Sequence, residues 1–238
     1  MITLLGPDSP FPNPARALHD PNGLLAAGAN LAPARLLDAY RQGIFPWFSE
    51  HEPVLWWSPD PRMVLFPAEF QPGRTFRRVL RNRDYEVRVD HDFGAAIRAC
   101  AEPRDGSGGT WINPAMIAAY ERLHSLGHAH SFETWIDGAL VGGLYGVAVG
   151  RMFFGESMFS RVADGSKIAF AHLVAHLRLS DFELLDCQMH TEHLERLGAR
   201  QIPRTEFLRL VTRLTAEARP PGRWTLAAGA ERDRPWDA

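Results

Sequence analysis

Asp186 and Gln188 stand two residues apart in a stretch, Glu183 to Gln188, that reads as a β-strand. Side chains two apart on a strand leave the same face, so a carboxylate and an amide project together. Glu156 ends another apolar run, Arg151 to Glu156, which reads as a strand of the same sheet. Two carboxylates and an amide meeting in one cleft can hold and polarise a nucleophile. Gln is too weak a base to take a full proton, so its part in such chemistry is to align. Taken alone, the pair fits ordinary polar residues at a strand end equally well.

A second constellation is basic. Arg74, Arg77, Arg78 and Arg81 recur at i, i+3, i+4 and i+7 opposite Phe76, Val79 and Leu80, and Arg83 extends the run with no acid between. The pattern predicts a helix with a basic face over an apolar one. Formal net charge over the 238 residues is −2, so contact with nucleic acid has to come from such a local patch. Cys187, His190 and His193, and likewise His124, His128 and His130, invite a metal reading. Neither fits: alternation turns Cys187 away from the Asp186 face, the first trio lacks a fourth ligand, and the second straddles a helix end at Gly127. No metal is expected, and His190 is kept as a minor candidate proton carrier.

The elements that must position these residues fall into two parts. Prolines crowd residues 1–62 and leave room for one clear helix, Pro33 to Gln42, so this part is expected to be a small irregular domain. Trp56 and Trp57 are expected to pack at the hinge to the next domain. From residue 63 to 238 the periodicity is regular. It gives a strand at Met63 to Phe66, a helix at Thr75 to Asn82, a strand at Tyr85 to Asp90, a helix from Asp92, a loop at Pro103 to Gly109, and a helix from Asn113-Pro114 to Gly127. Three antiparallel strands follow, Ala129 to Ile136, Ala139 to Val149 and Arg151 to Glu156, the first two joined by the hairpin signal Asp137-Gly138. A helix over Ile168 to Leu179, capped by Asp164 or Ser166, leads to the Glu183 strand. Thr191 and Thr205 are expected to cap the last two helices, ending at Leu197 and Leu214, and the tail after Pro220 is expected to be loosely held. A strand–helix–strand crossover at the end makes the last pairing parallel. The fold class is therefore α+β, with a mixed, mainly antiparallel sheet flanked by helices.

Cys100 and Cys187 are the two cysteines and carry no framework spacing, which suits reduced thiols. The amino terminus lacks the basic and long apolar regions of a signal peptide. The longest apolar run, Ala139 to Val149, is broken by glycines and about half the length of a membrane span. A cytoplasmic protein with no membrane contact is expected.

The element order looks like the core of GNAT-type acyltransferases, including the Leu197-Gly198-Ala199 turn. The pyrophosphate loop of such acetyl-CoA enzymes is missing, since residues 160–167 read Ser-Arg-Val-Ala-Asp-Gly-Ser-Lys, so a different acyl donor is implied. Pro21-Asn-Gly-Leu-Leu, Gly43-Ile-Phe-Pro-Trp-Phe, Trp56-Trp-Ser-Pro-Asp-Pro-Arg62, Gly109-Thr-Trp-Ile, Leu123-His-x-Leu-Gly-His-Ala-His130, Gly155-Glu-Ser-Met-Phe-Ser160 and Asp186-Cys-Gln188 occur in that order. From about Phe11 to about Phe207 the chain resembles the leucyl/phenylalanyl-tRNA–protein transferases.

That resemblance implies transfer of Leu or Phe, with Met as a further donor, from aminoacyl-tRNA to the α-amino group of proteins beginning with Lys or Arg, which marks them for degradation under the N-end rule. It implies a monomer without a cofactor. Asp186 would orient and polarise Gln188, whose carbonyl would accept a hydrogen bond from the attacking amine, and Glu156 would answer the cationic acceptor. Leu144, Phe153, Phe170, Leu173, Leu177 and Leu185 would form the donor side-chain pocket; Leu173 and Leu177 share a helical face. Trp47, Trp111 and Tyr120, with Tyr40 as a weaker member, would stack the terminal adenosine of tRNA. Arg74, Arg77, Arg78, Arg81 and Arg83 would meet the acceptor stem. An acyl-CoA N-acyltransferase and a tRNA-binding protein without catalysis are the two competing readings.

Overall fold

A computed structural model describes residues 2–103 and 111–226. Beyond Pro103, the loop expected up to Gly109 lies outside the described residues.

The amino-terminal part is more regular than its prolines suggest. Strands β1 (Thr3–Leu5), β2 (Leu24–Gly28), β3 (Phe45–Pro46) and β4 (Leu55–Trp57) form a sheet in the order β1-β2-β4-β3, with helix α1 (Pro33–Arg41) between β2 and β3 in the chain. Strands of two to five residues are too short to display alternation, which is why the sequence reads as irregular. Trp56 and Trp57 belong to β4: their indole N–H groups donate to the carbonyls of Gly28 at 2.9 Å and Trp47 at 2.7 Å. The pair is thus built into this sheet, within an apolar cluster that also takes in Val64 and Phe154.

The second sheet is built from β5 (Arg62–Leu65), β6 (Glu86–Val89), β7 (Ala129–Ile136), β8 (Ala139–Val149), β9 (Met152–Ser160), β10 (Leu184–Gln188) and β11 (Arg200–Ile202), in the order β11-β5-β10-β9-β8-β7-β6. Among the described strands of this sheet only β9 and β10 pair in parallel, joined by helix α5 (Gly165–Leu179). The α+β class with a mixed, mainly antiparallel sheet is the architecture observed. Helices α2 (Arg74–Asn82), α3 (Phe93–Cys100), α4 (Pro114–Ser125), α6 (Glu192–Arg196) and α7 (Arg204–Thr215) complete it. Asp137 and Gly138 both take positive φ, as the tight turn between β7 and β8 requires.

Alternation along the central strands sorts the core into two layers. Val64, Tyr145, Phe154 and Leu184 point to one face, with Tyr40, Tyr120 and Phe207 from α1, α4 and α7. Met63, Leu144, Phe153 and Leu185 point to the other, covered by α5. Gly142 lets α5 approach closely, because a Cβ there would lie 2.3 Å from the Gly165 carbonyl carbon.

Asp164, one of the two caps expected for α5, occupies its N-cap position, with Ser166 already helical. The cap of α7 differs: Pro203 holds the N-cap position and Arg204 begins the helix, so Thr205 lies inside it. Residues 221–226 are pinned, not loose, and the rest of the expected loose tail lies outside the described residues. Gly222 N–H donates to the Gly127 carbonyl at 3.1 Å, Trp224 N–H to Asp90 Oδ2 at 2.8 Å, and the Trp224 ring stacks 3.8 Å from His130 and 4.7 Å from His176.

Candidate active site

Parallel pairing of β9 with β10 runs from Met152–Leu184 to Phe154–Asp186 and stops there, although both strands continue. The two strands part at their carboxyl ends, and the gap opens a cavity of about 440 Å³. Its wall is apolar on the α5 side, from Leu144, Phe170, Leu173 and Leu185, and polar at the split, from Glu156 and Gln188. The face alternation explains this: residue 185 serves the α5 layer, while 156 and 186 serve the opposite one.

Glu156 lies in the middle of β9, not at a strand end, because β9 runs four residues further than its apolar pattern suggests. Its carboxyl is enclosed. Tyr40 Oη lies 2.8 Å from Oε1, Tyr120 Oη 2.8 Å from Oε2, and Gln188 Nε2 donates to Oε1 at 2.9 Å. The two tyrosine hydroxyls are 2.5 Å apart. Burial pushes the Glu156 carboxyl up to about 8, the Tyr40 and Tyr120 hydrogen bonds oppose the rise, and the nearby Asp186 carboxylate adds to it. The same burial, with Glu156 beside them, holds the Tyr40 and Tyr120 phenols well above their ordinary range.

Asp186 is fully buried in a two-pronged pair with Arg62, Nε to Oδ1 at 2.8 Å and a terminal nitrogen to Oδ2 at 2.6 Å. It also accepts the Gln188 backbone N–H at 2.9 Å, which holds Gln188 in its left-handed conformation, φ 63°. Asp186 therefore acts on Gln188 through the backbone, and Glu156 is the group that touches the Gln188 amide. The Arg62 guanidinium lies over the rings of Phe45 and Phe207, at 4.7 and 4.5 Å. Arg62 was not among the residues expected from sequence; the available signal was an arginine opening the apolar run Met63-Val64-Leu65.

Of the six expected pocket residues, Leu144, Phe170, Leu173 and Leu185 line the cavity. Phe153 and Leu177 are fully buried in the cluster behind it. Trp47 and Trp111 are half-buried on the cavity wall. Tyr40 and Tyr120 are fully buried, with their hydroxyls on Glu156 and their rings against Phe154 and Tyr145, so neither can stack a base. Cys187 turns away from the Asp186 face, as alternation expects, and so lies on the α5 side, where it lines the cavity; burial pushes its thiol up. His190 is exposed, with Nε2 3.2 Å from Glu195. Arg74, Arg77, Arg78 and Arg81 line a separate concavity of about 1030 Å³, while Arg83 donates to the Ala163 carbonyl at 2.5 Å. Among the described residues, no three His, Cys, Asp or Glu side chains are grouped to hold a metal ion.

The family described as leucyl/phenylalanyl-tRNA protein transferase matches residues 64–212, and its N-terminal domain matches residues 29–60. The chain belongs to this family. Curated relatives of the same name bear this out along nearly the whole length. The transferase of Chromobacterium violaceum is 58% identical over 224 residues, covering 94% of this chain and 96% of that one. The one from Aromatoleum aromaticum is 56% identical over 234 residues, covering 98% and 99%, and that from Nitrosospira multiformis 61% over 207 residues, covering 87% and 89%. A member of this family is a transferase whose donor is an aminoacyl-tRNA and whose acceptor is a protein. No described helix is long and apolar enough to cross a membrane.

Proposed function

We propose that the cleft between β9 and β10 transfers Leu or Phe, with Met as a further donor, from aminoacyl-tRNA to the α-amino group of proteins beginning with Lys or Arg. The observation that carries this reading is the apolar cavity of about 440 Å³ with the Gln188 amide at its polar edge. The donor side chain enters against Leu144, Phe170, Leu173 and Leu185, and the terminal adenosine stacks on Trp47 and Trp111. The basic acceptor, the cytoplasmic setting and the marking of the product for degradation are carried over from the family resemblance.

In the transfer, the neutral amine attacks the ester carbonyl carbon. A nitrogen–carbon bond forms, the bond from carbonyl carbon to ribose oxygen breaks, the nitrogen gives up one proton and the ribose oxygen takes one up. Ester to amide runs downhill, so the site mainly positions the reactants and stabilises the oxyanion. The Gln188 amide donates to Glu156 through Nε2, which leaves its carbonyl oxygen to accept an N–H of the incoming amine. Asp186 and Arg62 hold the strand end that carries it.

The test mixes the protein with labelled Leu-, Phe- or Met-tRNA, or labelled acetyl-CoA, and with polypeptides beginning in Lys, Arg or Ala. Transfer from the tRNAs to the Lys and Arg termini alone is expected. Transfer from acetyl-CoA, or none from tRNA, overturns the reading.

A further inference from the structure

The Glu156 carboxyl, the Tyr40 hydroxyl and the Tyr120 hydroxyl close a ring of three oxygen–oxygen contacts, at 2.8, 2.5 and 2.8 Å. Each contact at such a distance needs a proton between its two oxygens. The two phenols supply two. With an ionised carboxylate, one contact of the ring would set lone pairs against each other in a site closed to water, an arrangement that buried polar groups avoid. The third proton has to sit on the carboxyl. We propose that Glu156 is a neutral carboxylic acid in the resting enzyme, and that its proton ring with Tyr40 and Tyr120 positions Gln188 instead of offering a negative charge to the acceptor.

The direction of the ring follows from Gln188. Its Nε2 donates to Oε1, which also faces Tyr40, so Oε1 is the carbonyl oxygen and accepts twice. Oε2 carries the proton and donates to Tyr120, Tyr120 donates to Tyr40, and Tyr40 donates to Oε1. Every group is then used in the sense its chemistry allows. The other ionisable neighbours do not supply a counter-charge: Tyr145, packed 5.5 Å from Tyr120, is a neutral phenol, and Asp186 is an anion already paired with Arg62. Arg62 is spent on Asp186. The rise of the Glu156 carboxyl to about 8 agrees with the proton count.

The functional part of this inference rests on the transfer reaction proposed above; the protonation state does not. Infrared difference spectra of wild type against Glu156→Gln are expected to contain the carbonyl stretch of a neutral carboxyl at pH 7, disappearing as the pH rises past about 8. Glu156→Ala is expected to lower turnover by roughly 100-fold through misplacement of Gln188. Glu156→Gln, which can donate from its nitrogen to Tyr120 and accept from Tyr40 and Gln188 at its oxygen, is expected to recover at least tenfold of that loss and to lack the wild-type fall in turnover above pH 8. Carboxylate bands at pH 7 overturn the proposal, as does a folded Glu156→Gln variant as inactive as Glu156→Ala. If the wild type transfers nothing, the proposed reaction fails while the infrared spectrum still decides the ring.

Discussion

Arg62 and Asp186 have no contact with water, so each is tolerated only through the other. Removing one partner of a buried pair leaves an unpaired charge and costs about 3–5 kcal/mol. Arg62→Met is therefore expected to destabilise the protein by about that much, read from urea denaturation midpoints, and Lys will not substitute because it lacks the two-pronged fork. A loss under about 1 kcal/mol, the range of an exposed pair, would show that Asp186 finds another partner. Glu156 adds a pH dependence of opposite origin. Its carboxyl titrates near 4.5 ordinarily and at about 8 here. A raised carboxyl gives stability that is full below about pH 4.5 and is lost as pH rises through about 8, at up to roughly 1.4 kcal/mol per pH unit. Unfolding free energies at pH 6, 7 and 8 are expected to fall in wild type and to lose this slope in Glu156→Gln. That Asp186, Gln188 and Glu156 could meet in one cleft was legible from spacing; the roles proposed for them came from the resemblance. Arg62 was not, since its meaning lies in a partner 124 positions away.

At the scale of elements, α2 offers the plainest test. Arg77 and Arg81 lie on a face that already reads as basic in the sequence, and both line the concavity. Reversing both to Glu is expected to weaken tRNA binding and to reduce the slope of log affinity against log salt by roughly 1 for each phosphate no longer neutralised. An unchanged slope across a salt series would detach α2 from the nucleic acid. What could be read of the elements followed their length. Helices α2 and α4 and strands β7 and β8 repeat their apolar period several times, and their bounds agree with expectation within a residue or two. Strands β1 to β4 and β11 have no room for a period, and it is pairing with a neighbouring strand that makes them regular. The cavity itself was invisible, because it depends on where β9 and β10 stop pairing, a matter of register between distant segments. The pinned stretch around Trp224 carried one clue, a tryptophan in a polar tail, but the box of His130, Phe132, Phe153 and His176 that receives it is assembled from separate strands and a helix.

At the scale of the molecule, the box around Trp224 sets the acid limit. Burial holds His176 down to about 4, and His130 is lowered for the same reason although Asp90 pulls it the other way. A depressed histidine gives stability that is full above its ordinary value near 6.5 and is lost as pH falls through about 4. Trp224 fluorescence is expected to shift to the red between those limits, and a constant spectrum down to pH 4 would place the weak point elsewhere. The two sheets share one apolar layer, which runs from Leu25 and Trp56 through Tyr40 to Phe154 and Phe207. Tyr40 stands at the junction: it is carried by α1 of the small amino-terminal sheet, yet its hydroxyl rests on Glu156 of the large one. On gentle warming, a small sheet that works loose takes this hydroxyl with it while most of the large sheet's circular dichroism persists. Such a protein falls silent before it melts, and recovers its activity on cooling as soon as one tyrosine is back in place.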